Sequence, residues 1–188
     1  MKNVLSFLFL LPLAGCLSSS APDIAYWPIE CEGRPAQVAP EPTFGVARVS
    51  QLAVRSPYDV GTFAVLRSDG SVAFDDYNNF ASIPPQILKG PVADVLRESG
   101  MFKGVIGAAS SVPSDATIEI VVRKIALDCR EAGSRKALVA LSVVLMDKKR
   151  EGVLEGKGEA SVGTGDGNYG KAFSQAFSQA LTMALGTL

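Results

Sequence analysis

The stretches VLEGKGEASV at residues 153–162 and YGKAFSQAFSQALTMAL at residues 169–185 decide the fold of the C-terminal half. In the first, charged or polar residues alternate with small or apolar ones, which is the period of a β-strand with one solvated face. In the second, alanines recur at every fourth position beside a row of Phe and Leu, so each row shares a helix face. We expect the alanine row to pack closely over Gly156 and Gly158, while the Phe/Leu row fills the core.

Two long runs rich in β-branched residues, 118–127 and 137–146, precede this pair and are predicted as strands joined by a polar turn. The second run is apolar at its odd positions and largely apolar at its even positions, whereas a strand with one solvated face should alternate. Two interpretations remain open. Either loops or the N-terminal segment cover the second face, or it is buried against another subunit or a partner protein.

The preceding residues predict a similar arrangement. Residues 44–54 form a strand, and residues 63–67 and 72–74 form a hairpin around a tight turn at Asp69-Gly70. The predicted order is therefore β-β-β-α-β-β-β-α, an α+β fold in which a mixed or antiparallel sheet carries both helices on one face.

The first of these helices contains prolines that limit its possible starts. Pro84-Pro85 opens the helical segment, and Gly100 is expected to close it as a C-terminal cap. Pro91 lies inside this segment. It predicts either a kink at that point or a helix that starts at Gly90-Pro91.

Residues 1–15 have the composition of a secretory signal peptide, with Lys2 before an apolar run at residues 4–13. That run is about half of the ~20 residues that a transmembrane helix needs. It ends in Leu-Ala-Gly-Cys, which resembles the bacterial lipobox, where a diacylglycerol is attached to the Cys and the chain is cleaved before it. We predict lipidation at Cys16. The alternative is a plain signal peptide in which Cys16 carries no lipid.

Residues 16–43 contain five prolines and a run of three serines, without apolar periodicity. This composition favours an extended tether, followed by a single α+β domain at residues 44–188. Tyr26 and Trp27 in the tether either dock on the domain or sit at the lipid interface. Leu17 follows the cysteine that is predicted to be lipidated. An Asp at position 17 would favour the inner membrane, so with Leu we expect an outer-membrane anchor facing the periplasm.

Cys31 and Cys129 are the two remaining cysteines, 98 positions apart. Without a C-x-x-C spacing they support neither a redox motif nor a zinc site. A signal peptide implies a compartment that permits disulfides, so we predict a structural disulfide between them. The alternative is two unrelated small buried side chains.

The chain has no histidine and nearly balanced charge, with 18 Lys and Arg against 19 Asp and Glu. The missing histidine excludes Ser-His-Asp and Cys-His pairs and imidazole metal ligands. The charge balance gives no electrostatic footprint for nucleic acid. We therefore expect no catalytic residues, no metal and no cofactor, and an enzyme would need a Ser or Asp mechanism without histidine.

The sequence at residues 165–170 matches G-x-G-x-x-G between a strand and a helix, as in dinucleotide-binding proteins. No strand or acidic residue follows to complete such a site, and Asp166 would repel a pyrophosphate. We interpret the motif as a turn into the last helix, capped by Asn168 or Asp166.

Two carboxylate pairs, Asp75 with Asp76 and Asp128 with Glu131, are candidates for acid-base or calcium chemistry. Neither pair has the ligand spacing of a calcium loop, and both stand at strand ends, where solvated acids are common. We expect structural roles for them. The basic run at residues 148–150 is expected at a hairpin tip, with contact to anionic lipid headgroups as the alternative.

Three segments carry a family resemblance: VLRSDGSVAFDDY at residues 65–77, Pro84-Pro85, and VLRESGMF at residues 95–102. In this order, behind the lipobox, they resemble the ABC-type transport auxiliary lipoprotein family, in its PqiC-like group. The resemblance runs from about residue 44 to the C-terminus. One departure is Phe80, where the family usually has Trp.

The resemblance implies an auxiliary component of a lipid transport system, in which an inner-membrane ABC transporter works with an MCE-domain protein that bridges the periplasm. This chain would be the docking or receiving partner at the outer membrane, and a ring-shaped homo-oligomer is a further implication. No catalytic residue is carried over. The alternative function is a lipoprotein activator or assembly factor for another envelope protein, because one fold serves many functions.

Overall fold

The computed structural model describes residues 23–30, 38–148, 152–165 and 167–188. A mixed sheet of eight strands carries α2 and α3 over one hydrophobic core, which confirms the predicted α+β class. In chain order the elements are β1 (Ala25–Trp27), β2 (Phe44–Val54), β3 (Thr62–Leu66), β4 (Val72–Phe80), α1 (Pro84–Ile87), α2 (Lys89–Glu98), β5 (Phe102–Gly107), β6 (Ala116–Asp128), β7 (Lys136–Asp147), β8 (Gly152–Gly163) and α3 (Tyr169–Leu185).

Strand β6 organises the sheet. Along one edge it pairs antiparallel with β7, which in turn pairs antiparallel with β8. Its other edge pairs in parallel with β2 over residues 116–122 and with β3 at residues 127–128. Since β7 occupies the first edge throughout, β2 and β3 must follow one another along the second. The sheet then divides into a β2–β5 branch and a β3–β4–β1 branch.

The packing of α3 on β8 is as the sequence predicts. A Cβ atom on Gly158 would lie 1.8 Å from the carbonyl oxygen of Ala180, and one on Gly156 would lie 2.0 Å from that of Ala184. The strand therefore needs glycine at both positions for the helix to approach this closely. The neighbouring row of α3 is buried in the core: Phe173, Phe177, Leu181 and Leu185.

Two strands, β1 and β5, were not expected from the sequence. Both are short outer strands, and each pairs in parallel with one neighbour. β1 lies within the segment expected to be an extended tether. Trp27 docks on the domain, donating from Nε1 to Asn78 Oδ1 at 2.9 Å, and Ile29 is buried in the core. Tyr26 stays exposed, so the two aromatic residues have different surroundings.

The predicted first helix is divided into α1 and α2 at Leu88. The helix that contains Pro91, α2, begins at Lys89, one residue before the predicted start at Gly90. Pro91 then lies in the first turn, where a backbone N–H has no acceptor within the helix. Gly100, with a φ of +74°, follows the end of α2 and confirms the predicted cap.

The second face of β7 is covered in part by a loop. Tyr58, from residues 55–61 between β2 and β3, packs on a small apolar cluster that includes Leu138 of β7 and Ala126 of β6. The first of the two interpretations therefore accounts for this end of the strand. At the other end, Val144 and Met146 are only half-buried.

Candidate functional site

A groove lies beside the second half of β2, where its neighbour β5 ends. β5 ends at Gly107, opposite Val49, while β2 continues to Val54. Beyond Val49, β2 therefore has no β5 residue beside it. Helix α2 passes over this region and encloses a cavity of about 350 Å³ with β2 and β5. Most of its walls are apolar: Val49, Leu52, Val92, Ala93, Val105 and Ile106.

The rim of the groove is formed by one row of α2. Lys89, Ala93 and Arg97 follow at spacings of four, and the two cationic residues are about 12 Å apart along the helix axis. Arg97 Nη1 contacts Asp94 Oδ1 at 2.8 Å in an exposed ion pair. Lys89 Nζ donates to the neutral Gln86 Oε1 at 2.6 Å, which leaves the ammonium charge uncompensated by that bond. The rim therefore carries positive charge.

Arg48 of β2 holds the opposite wall in place. Its guanidinium donates to a series of backbone carbonyls in the loop that follows β5, so the loop is tied to β2 rather than left free over solvent. Two of these loop residues, Gly107 and Ala108, also line the groove. The acceptors are the carbonyl oxygens of Gly107 at 3.4 Å, Ala108 at 3.2 Å, Ser110 at 2.5 Å and Val112 at 2.5 Å.

These walls and this rim define the chemistry of a ligand. A concave apolar site of 300–1,000 Å³ with a few polar groups is typical of small-molecule binding. Apolar walls fit a hydrocarbon chain, and the cations fit an anionic headgroup.

In the part of the chain that the structure describes, no cluster of His, Cys, Asp or Glu could hold a metal ion. No helix among those residues is long and apolar enough to cross a membrane.

Two of the three predicted modification sites, Cys16 and Cys31, lie outside the described residues, so lipidation and disulfide pairing stay predictions. Cys129 follows β6 and is half-buried. Burial raises the pKa of its thiol, while the nearby Arg135 acts in the opposite direction.

The glycines of the G-x-G-x-x-G segment have separate structural roles. Gly167 has a φ of +75° in the turn before α3, a conformation that favours glycine. A Cβ on Gly170 would lie 2.8 Å from the carbonyl oxygen of Pro28, so this glycine lets the N-terminal segment pack against α3. Asn168 Oδ1 accepts from Lys171 N at 3.0 Å, which confirms Asn168 as the helix cap. Asp166 lies outside the described residues.

The candidate carboxylates are engaged in local contacts. Asp75 Oδ1 accepts from the backbone N of Tyr77 at 2.9 Å. Asp128 Oδ2 contacts Arg130 Nη2 at 2.6 Å, and the hydrogen bond from Arg130 lowers the pKa of this carboxyl. In the next turn Glu131 Oε2 pairs with Lys136 Nζ at 3.1 Å. These contacts fit the structural roles expected for Asp75, Asp128 and Glu131, although Asp75 and Asp76 lie within β4 rather than at a strand end.

The basic run at residues 148–150 is described only in part. Lys148 Nζ donates to the carbonyl oxygen of Ser114 at 3.1 Å, beside the loop that Arg48 holds. The other two residues of the run lie outside the described residues.

Sequence reasoning missed the groove and its cationic rim. One signal was available, since Lys89, Ala93 and Arg97 share a face of the predicted helix. The opposite wall is β5, whose pairing with β2 depends on residues far apart in the chain. Because β5 was not predicted, the sequence shows no apolar groove beside Lys89 and Arg97. Their side of the helix then looks like any solvated helix face.

No family model matches the chain, and no curated protein matches it. Among solved structures, protein XCC0632 from Xanthomonas campestris, assigned to the family DUF330, has a TM-score of 0.62 at 19% identity, over 89% of this chain and 92% of that chain. An uncharacterized protein has a TM-score of 0.62 at 14% identity, over 87% of this chain and 97% of that chain. These similarities show a shared fold. Lipoprotein GNA1162 from Neisseria meningitidis aligns at a TM-score of only 0.40 and 14% identity, over 69% of this chain and 90% of that chain.

Proposed function

We propose that this protein is a lipid-anchored, non-enzymatic auxiliary component of an ABC/MCE-type lipid transport system, a docking or receiving partner at the periplasmic side of the outer membrane. The observation that carries the proposal is the apolar groove between α2 and the β2–β5 branch. The lipobox-like motif ending in Cys16 supports the anchor, and the resemblance at residues 65–77 and 95–102 supports the transport system.

In this function the groove receives one acyl chain of a phospholipid. The chain lies against the apolar side chains of β2, β5 and α2, and each buried methylene contributes about 0.8 kcal/mol. The phosphate lies at the rim near Lys89, whose ammonium is bonded only to a neutral amide among the contacts described above. A groove that opens to solvent along α2 lets the lipid leave as well as enter, as a receiving component requires.

A photocrosslinking experiment tests the groove in cells. A benzophenone amino acid replaces Ala93 in the full-length protein, and cells grown with radioactive phosphate are irradiated. We expect phosphate label on the protein, several-fold above the same substitution at Ala132, an exposed residue of the turn between β6 and β7. Equal label at both positions would show that the groove holds no phospholipid.

Copurification tests the transport system separately. Crosslinked full-length protein should recover an MCE-domain protein together with the ATPase and permease of its ABC transporter. Recovery of a cell-wall synthase or a porin alone would support the alternative, an activator or assembly factor. Replacement of Cys16 by Ala should abolish palmitate labelling and membrane fractionation, and unchanged labelling would remove the lipid anchor from the proposal.

A further inference from the structure

Exposed aromatic and aliphatic side chains gather on the outermost strands of the β3–β4–β1 branch. Tyr26 is 66% exposed, Tyr77 49% and Phe74 47%, although large apolar side chains elsewhere in the branch are buried. Val72, in the same strand as Phe74, and Ile24, just before β1, are also exposed. We refer to these five residues as the aromatic patch. Exposed apolar side chains that gather on neighbouring strands indicate a contact site.

The pairing of β4 with β3 shows on which face of the sheet the patch residues of β4 lie. Phe74 pairs with Ala64, and Val72 pairs with Leu66. Directly opposed residues in neighbouring strands point to the same face. Ala64 and Leu66 belong to the small cluster under Tyr58, on the side of the sheet away from the helices. Val72 and Phe74 therefore point away from α2 and α3.

Tyr26 lies on this same face. It pairs with Asn79 of β4, which pairs with Thr62 of β3. Thr62 is two positions before Ala64 on one strand, and such residues share a face. The next residue of β1, Trp27, points the other way and packs against the main core. The groove is lined by core-facing residues of β2, so the patch and the groove open on opposite faces of the sheet.

A hydrogen-bond network fixes the patch to the domain. Asn78 Oδ1 accepts from Trp27 Nε1 at 2.9 Å, and Asn78 Nδ2 donates to Asp75 Oδ2 at 3.0 Å. The other oxygen of Asp75 accepts from the backbone N of Tyr77 at 2.9 Å. These bonds hold the backbone of β1 and β4 that carries Tyr26 and Tyr77, so the strands under the patch need little reordering on binding.

The chain also places this surface close to the predicted lipid. Only six residues separate Cys16 from Asp23, which is the first described residue and stands two positions before β1. At 3.3–3.6 Å per residue, seven steps reach no more than about 25 Å. If Cys16 carries the lipid of the proposed function, Asp23 lies within that distance of the bilayer surface, and β1 starts two residues further along the chain.

We propose that the aromatic patch contacts the headgroup region of the bilayer that holds the lipid anchor. Tyr26 and Tyr77 suit this occupant, because an aromatic ring with a polar tip prefers the membrane–water interface. Phe74 adds apolar ring surface, as on the apolar face of interfacial helices. The acidic neighbours Asp75 and Asp76 make a zwitterionic surface a better fit than an anionic one. The inference rests on the lipid anchor of the proposed function. Patch contact leaves the groove open on the face that points away from the bilayer.

Fluorescence quenching by brominated lipids tests the proposal. Full-length lipidated protein is reconstituted in vesicles of brominated phosphatidylcholine, with an indole added by Tyr26→Trp or Phe74→Trp, and the signal of the native Trp27 is subtracted by means of the unsubstituted protein. The control is Val112→Trp, an equally exposed position in the loop after β5. We expect bromine quenching of the added indole at 26 and 74 to exceed that at 112 by about threefold or more, because interfacial side chains lie at the level of the lipid headgroups. Phosphatidylglycerol in the vesicles should not increase it.

Three outcomes would overturn the inference. If the protein floats with the vesicles but the indoles at 26, 74 and 112 are quenched equally, the anchor holds and the patch does not touch lipid. If acrylamide cannot reach the indole at 26 and bromine does not quench it, protein covers the patch, either a second copy or a partner. If the wild-type protein does not float, the lipid anchor is wrong and the inference fails with it, whereas failed copurification of an MCE protein affects only the transport assignment.

Discussion

Gly158 sets how closely α3 approaches β8, and its replacement by Ala should be strongly destabilising. The new Cβ would lie 1.8 Å from a backbone carbonyl oxygen of α3, so the whole helix would have to shift. Overpacking of a core costs about 1–3 kcal/mol, and a clash with backbone falls at or above the upper end. Urea unfolding of Gly158→Ala should show a lower midpoint with little change in slope.

Gly163→Ala, in the same strand, is the matched control. No atom beyond the neighbouring residues lies within 4 Å of a Cβ built there. Since glycine in a strand is less favourable than Ala by about 0.5–1 kcal/mol, this variant should be neutral or slightly stabilised. A Gly158→Ala protein as stable as Gly163→Ala would contradict the close packing.

Asp128 should make the stability of the domain depend on pH. The hydrogen bond from Arg130 lowers the pKa of this carboxyl in the folded state. Asp128 therefore contributes fully to the free energy of unfolding at pH values above its pKa in the unfolded state, about 3.9. This contribution is lost as the pH falls through the lower pKa of the folded state. Asp128→Asn should destabilise the protein at pH 7 and converge with wild type in acid. Unfolding midpoints between pH 7 and pH 2 would measure this.

Arg130→Gln provides a second test of the same pair, because it removes the donor and leaves the carboxylate. It should show the same loss at neutral pH and the same convergence in acid. A constant difference from wild type at every pH would indicate lost packing rather than a lost ion pair.

At the level of elements, β1 is held on the domain by contacts with β4 and α3, and Gly170→Ala should weaken them. Within a helix, Ala is more favourable than Gly by about 1 kcal/mol. The new Cβ, however, would contact the carbonyl oxygen of Pro28. We expect faster hydrogen exchange at Ala25–Trp27, by about tenfold or more, with little change in global stability. Gly165→Ala, which meets no atom within 4 Å, is the control. Unchanged exchange in β1 would contradict this docking.

The same elements show what the sequence could predict. β6, β7, β8 and α3 were found within one or two residues, because each carries its own periodic pattern of apolar residues. β5 contains two glycines in six residues, and β1 has only three residues. Neither has a local pattern, since each is stabilised by a parallel partner far away in the chain. The division of the sheet, and the groove that β2, β5 and α2 form, could not be predicted from local patterns.

At the level of the whole molecule, the predicted disulfide between Cys31 and Cys129 would link the N-terminal segment to the end of β6. A closed loop of about 100 residues corresponds to as much as ~4.7 kcal/mol in the chain-entropy model. Alkylation of denatured protein without reductant, followed by mass measurement, should find neither cysteine modified. Alkylation of both would contradict the pairing, and a Cys129→Ser variant would then have unchanged stability.

The division of the sheet also has a mechanical consequence. Tension applied to the residues before Asp23 acts first on β1. Strand pairing transmits it from β1 to β4. The hydrogen bond that Glu30 N donates to Ser174 Oγ transmits it to α3. From β4 it reaches β3 and then β6. The β2–β5 branch, attached to β6 along a separate length, lies outside this path of force. Tension on the N-terminus should therefore leave the β2–β5 wall of the groove in place.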